Sequence, residues 1–88
     1  MNANRRKQIN EAIDLINRAH DMIARAYDLI DEITDAEQDA LDNLPESIQE
    51  SERGEMMSEA IENLESARDI DFEDMLDEII GYLEDAQA

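Results

Sequence analysis

Apolar residues recur along the first half of the chain with a period of seven. Ile9, Ile16, Ile23 and Ile30 form one row, and Ala12, Ala19, Ala26 and Ile33 form a second, three residues later. Leu15, Met22, Leu29 and Ala36 make a third, and Ile13, His20, Tyr27, Thr34 and Leu41 a fourth. On an α-helix these rows are neighbours, so together they make an apolar face wider than the two-row seam of a simple coiled coil. Asp14, Asp21, Asp28, Asp35 and Asp42 form an equally regular acidic row on the polar side. The spacings of Asp14 to Arg18 and Asp21 to Arg25 predict i,i+4 ion pairs, each contributing a few tenths of a kcal/mol. The pattern predicts one helix over about residues 4–43. Thr34-Asp35-Ala36-Glu37 has the form of a capping box, but the repeat continues through Ala36, Ala40, Leu41 and Leu44, which favours an uninterrupted helix.

Pro45 ends that helix, because the residue before a proline is pushed out of the helical region. A connection over about residues 44–51 is predicted, and Ser47-Ile48-Gln49-Glu50, a second capping box, sets the next helix start between residues 46 and 52. Helical spacing then resumes through Met57, Ala60, Ile61, Leu64 and Ala67, and again through Phe72, Met75, Leu76, Ile79, Ile80 and Leu83. Between the two runs, Arg68 and Asp71 fall where the heptad wants apolar groups. A four-residue stutter in a continuous helix over about 52–86 is favoured; the alternative is a break near 68–71, with Asp71 capping a third helix from Phe72. The expected fold is all-α: two long antiparallel heptad helices forming an α-hairpin, in a single domain over 1–88. Two helices cannot bury a four-row face between them. Assembly into a helical bundle or coiled-coil oligomer, as a homodimer or larger, is therefore expected.

Charge changes this picture most. Twenty-five acidic residues against seven basic ones give a net charge of −18 and rule out a direct nucleic-acid binder, because phosphate neutralisation needs clustered Lys and Arg. Anionic membrane surfaces are excluded likewise. The charge is uneven: residues 1–34 carry five basic and six acidic side chains, net −1, and residues 35–88 carry two and nineteen, net −17. The first helix thus reads as the assembly element and the rest of the chain as an acidic surface, with Glu59, Glu62, Glu65, Asp69, Glu73 and Asp77 as its outward carboxylates. No apolar run approaches the roughly 18 residues of a membrane span, so a cytoplasmic location is expected.

Catalytic chemistry has few parts here. The chain has no cysteine, no tryptophan and one histidine, and no nucleophile–base arrangement carries a local signature. No enzyme activity, metal or cofactor is expected. Asp69-Ile70-Asp71-Phe72-Glu73-Asp74 opens like a calcium loop, but Asp74 stands where the turn needs glycine and Ile80 where the loop needs glutamate. A bundle di-iron site needs two Glu-x-x-His motifs, and His20 is preceded at that spacing by Asn17. His20 and Tyr27, one heptad apart on the apolar face, read first as half-buried core residues and second as a ligand-binding pair. The connection differs in character: Glu46, Ser47, Gln49, Ser51, Glu52 and Arg53 interrupt the repeat with hydrogen-bonding side chains. A capped turn accounts for Ser47 and Glu50. Gln49, Ser51 and Arg53 are left over as candidates to hold an anionic group at helix N-terminal amides.

The run LDNLPESIQESERGEMMSEAIENLESA, about a third of the chain, resembles a stretch found in small, acidic, all-helical proteins of Firmicutes and of their phages and prophages. Such proteins pair an LPES-Q-SERGE-like connection with heptad helices. The resemblance implies a phage origin in a bacterial host cell, not an activity. After Ala67 this chain departs from that pattern, with ARDIDFEDM in place of a plainer acidic heptad. Two binding functions follow as expectations. In the first, the acidic surface imitates nucleic acid to block a host protein, such as a nucleic-acid-binding defence protein. Net −18 along a helix of about 60 Å is one charge per roughly 3.3 Å, and a side-by-side dimer would approach the charge spacing of duplex DNA, about 1.7 Å. In the second, an oligomeric sponge sequesters a nucleotide signal near residues 43–55. A structural scaffold coiled coil is the third reading.

Overall fold

Four helices and no strand make up the structure, a computed structural model describing residues 1–88: α1 (Ala3–Asp42), α2 (Glu46–Gln49), α3 (Glu52–Arg68) and α4 (Phe72–Gln87). No helix is long and apolar enough to cross a membrane. The fold is all-α, as the heptad pattern requires.

The first helix, α1, runs 40 residues without interruption, about 60 Å at 1.5 Å per residue. It contains neither glycine nor proline. Its start is fixed by Asn2, whose Oδ1 accepts a hydrogen bond from the Arg5 N–H at 2.8 Å and so satisfies one of the free amides of the first turn. Thr34 does not begin a new helix; its hydroxyl donates to the Ile30 carbonyl at 2.7 Å within the same one. Of the two ion pairs the spacing predicts along α1, Asp14–Arg18 forms at 2.8 Å. Asp21 instead lies 3.5 Å from the His20 ring, leaving Arg25 exposed.

The connection departs from the expected box. Pro45, with φ −54° and ψ 144°, precedes α2 and starts it at Glu46, so Ser47 falls inside that short helix and caps nothing. Proline has no N–H to satisfy, and the Pro45 carbonyl accepts the Ile48 and Gln49 amides at 2.8 and 3.0 Å, so the helix begins directly after it and pre-empts the box. Ser51 stands before α3 in an extended conformation, and its hydroxyl donates back to the Ile48 carbonyl instead of accepting from α3.

The second half of the chain is not one stuttered helix. The α3 helix ends at Arg68, and Asp71 takes an extended conformation before α4 and accepts the Asp74 N–H on its Oδ1 at 3.2 Å. A continuous helix would point Arg68 and Asp71 into an apolar seam, where an unpaired charge is costly. The break lets Asp71 cap α4 and gives Arg68 a partner.

The chain packs as two compact units, one of residues 1–25 with 71–88 and the other of residues 26–70. Each is an antiparallel pair of helical segments. In the first, Asn10 Oδ1 accepts from Gln87 Nε2 at 2.9 Å, and the His20 and Phe72 rings lie 5.4 Å apart, tilted by 48°. Leu76, 8% exposed, is the most buried apolar side chain there. In the second unit Tyr27 reaches Ile70 and Asp31 reaches Arg68, and Ile61, 5% exposed, is the deepest.

The four apolar rows of α1 do not share one fate. The rows of Ile9 and of Ile13 are half-buried from Ile9 to Leu41 and form the seam. The row of Leu15, Met22, Leu29 and Ala36 is exposed throughout, and the alanine row divides, with Ala12 and Ala19 half-buried and Ala26 and Ile33 exposed.

Candidate functional site

The connection that sequence reasoning singles out is built around a close approach. Gly54, in the first turn of α3, is buried, and a Cβ placed on it would lie 1.9 Å from the carbonyl oxygen of Gln49. Only glycine lets α3 start this close to α2. Gln49 turns the other way: its Nε2 donates to the Leu44 carbonyl at 2.9 Å and the Asp42 carbonyl at 3.3 Å, oxygens left free where α1 ends. Gln49 and Ser51 therefore both have partners within the fold. Glu46, Ser47, Glu52 and Arg53 are exposed, and Arg53 makes no ion pair. Of the residues proposed to hold an anion, only Arg53 keeps its polar group unengaged.

His20 and Tyr27 receive separate partners. His20 is half-buried against Phe72, with Nε2 3.6 Å from a Glu73 carboxylate oxygen. Tyr27 donates its hydroxyl to the Ile70 carbonyl at 2.8 Å, and the Arg68 guanidinium lies 4.9 Å from its ring centroid. Arg68 in turn pairs with Asp31, its Nε at 2.9 and 3.1 Å from the two carboxylate oxygens. The Tyr27–Arg68–Asp31 cluster closes the C-terminal end of α3 onto α1. Sequence reasoning registers Arg68 only as a defect in the apolar pattern. A cation opposite an aromatic seam residue is the signal that could have found the cluster.

The acidic residues make the second candidate. Glu59, Glu62, Glu65, Asp69, Glu73 and Asp77 are all exposed, as are the five aspartates of the α1 row. Successive aspartates of that row stand about 10 Å apart along the axis. In the unit of residues 26–70, Asp28, Asp35 and Asp42 of α1 share one flank of the helix pair with Glu55, Glu62 and Asp69, which follow the same helical phase. In the other unit, taken by itself, the helical phase puts Asp14 and Asp21 on one flank with Glu73 and Asp77. Among the carboxylates only Asp14 and Asp31 pair with an arginine.

One local interaction perturbs two of these groups. The Asp74 amide and side chain hydrogen-bond the Asp71 carboxylate and hold it below its ordinary value of 3.8. Asp74, which shares a side-chain hydrogen bond with Asp71 and lies beside its charge, is raised. No group of three or more histidine, aspartate or glutamate side chains is placed to hold a metal ion. An open depression of about 520 Å³ lies against Arg6, Lys7 and Asn10 at the start of α1, remote in sequence from the connection.

Comparison with known protein families, with curated proteins and with solved structures yields no match for this chain.

Proposed function

We propose that this chain is a non-enzymatic binding protein whose acidic flank occupies the nucleic-acid-binding surface of a basic partner protein. The observation that carries the reading is the arrangement of carboxylates: regular along α1, matched in phase on α3 and α4, exposed, and almost free of pairing cations. Such a surface attracts and orients a basic partner over long range. A nucleic-acid-binding defence protein of a bacterial host cell is the partner proposed. The nucleotide-sponge reading has less support, because Gln49 and Ser51 already serve the turn.

The test is capture of basic proteins from bacterial lysate on the immobilised chain, followed by charge reversal. Replacing Glu62, Glu65, Glu73 and Asp77 together by lysine should abolish capture, whereas each single reversal should weaken it by less than about tenfold, since the charge is distributed. Capture should also fall steeply with salt. Capture that survives the fourfold reversal and is lost on Arg53→Ala alone would overturn the reading in favour of a placed anion site.

A further inference from the structure

The acidic flank has an opposite. In the unit of residues 1–25 and 71–88, the seam takes Ile9, Ile13, Ile16, His20 and Ile23 from α1 and Phe72, Leu76, Ile80 and Leu83 from α4, all buried or half-buried. Turning roughly 60° to 140° around α1 from the centre of that seam, at about 100° per residue, reaches Ala12, Ala19, Leu15 and Met22. The same rotation in the same sense around α4 reaches Met75, Ile79, Tyr82 and Ala86. In an antiparallel pair the two helices are related by a two-fold axis perpendicular to both, which returns each flank to itself. Equal rotations therefore end on the same side of the seam. Leu15 and Met22 from one helix and Met75, Ile79 and Tyr82 from the other form one apolar flank, with Met22 69% and Tyr82 70% exposed.

We infer that a second copy of this chain docks on that flank, turning two helices into a four-helix arrangement. Charge argues for this occupant. None of the chain's 25 acidic residues lies in these rows, so two copies can meet here without opposing carboxylates, while Asp14, Asp21, Glu73 and Asp77 stay on the far side. A basic partner would find nothing complementary on this face. On the α1 side, large Leu15 and Met22 stand beside small Ala12 and Ala19, which leaves room for large side chains of a partner copy.

Sedimentation equilibrium tests this directly. The wild-type chain should run at twice its 10.1 kDa mass or a higher multiple. Leu15→Lys with Met22→Lys and Tyr82→Lys should run as single chains, and the control Asp21→Lys with Asp77→Lys should keep the wild-type mass. Because the lysine variant can lose its fold along with its partner, cysteine linkage gives a second readout in a chain with no native cysteine. Single cysteines placed in turn at Leu15, Met22, Met75, Ile79 and Tyr82 should yield disulfide-linked dimers on oxidation at one or more of these positions. Cysteines at Asp14, Asp21 and Asp77 should yield none. A wild-type chain that stays at 10.1 kDa, or acidic-flank cysteines that link faster than every apolar-flank one, overturns the proposal. A monomeric chain that needs Met22 and Tyr82 for capture of another protein would assign the flank to that protein instead.

Discussion

Gly54 and Gly81 both lie inside helices, yet they should respond oppositely to the same substitution. Alanine is the better helix former by about 1 kcal/mol. At Gly81 nothing lies within 4 Å of the added Cβ, so Gly81→Ala should stabilise the fold by about 0.5 to 1 kcal/mol. At Gly54 the Cβ would collide with the Gln49 backbone, and α3 must withdraw from α2. Gly54→Ala should therefore destabilise by about 2 kcal/mol or more, overriding its propensity gain. Urea unfolding of the two variants checks both signs. Little of this is legible in the sequence: Arg53 beside a glycine draws the eye, but which backbone that glycine touches is set by α2. The same holds for Gln49, which reads as a spare hydrogen-bonding side chain until the end of α1 is placed above it, and for Tyr27, whose acceptor is a carbonyl 43 residues away.

Among the helices, α1 is almost fully readable, because a seven-residue repeat unbroken by glycine or proline admits one reading. The expected end at about residue 43 and the observed end at Asp42 differ by one residue, and Pro45 accounts for both. In the second half the spacing favours a stuttered continuous helix and the chain breaks instead, because spacing alone does not separate the two. What decides it is a hydrogen bond, from the Asp74 amide to Asp71. The cap has a pH signature. The Asp71 carboxyl is held below its ordinary value of 3.8 in the folded chain, so its contribution is present above that value and is lost as pH falls through the lower folded one. Asp74 is raised and works in the opposite sense, gaining from protonation as pH falls. Asp71→Ala should lower the melting temperature at neutral pH, and the difference from wild type should shrink as pH falls below about 4 toward the lowered folded value, through which the wild-type cap takes up its proton. Thermal unfolding followed by circular dichroism at the two pH values measures it.

At the scale of the whole chain, −18 charges on 88 residues repel one another, and only two arginine–carboxylate pairs relieve that repulsion. Added salt shortens the reach of each carboxylate to about 8 Å at 0.15 M and about 3 Å at 1 M. The melting temperature should thus rise by several degrees between low salt and about 0.5 M sodium chloride; a fall would mean that attractive pairs dominate. The apolar pattern foretold a face too wide for two helices, and the exposed row of Leu15, Met22 and Leu29 is where that width goes. What the pattern withheld was the division of rows between seam and flank, since four adjacent rows offer more than one choice of two. A strict repeat also leaves a helix ambiguous under translation: slide it by one heptad and isoleucine again meets an apolar seam. The contacts that do not repeat are Asn10 with Gln87, His20 with Phe72, Tyr27 with the Ile70 carbonyl and Asp31 with Arg68. They act as the marks of a vernier, and alignment in this chain is written in those few polar and aromatic side chains and not in its oil.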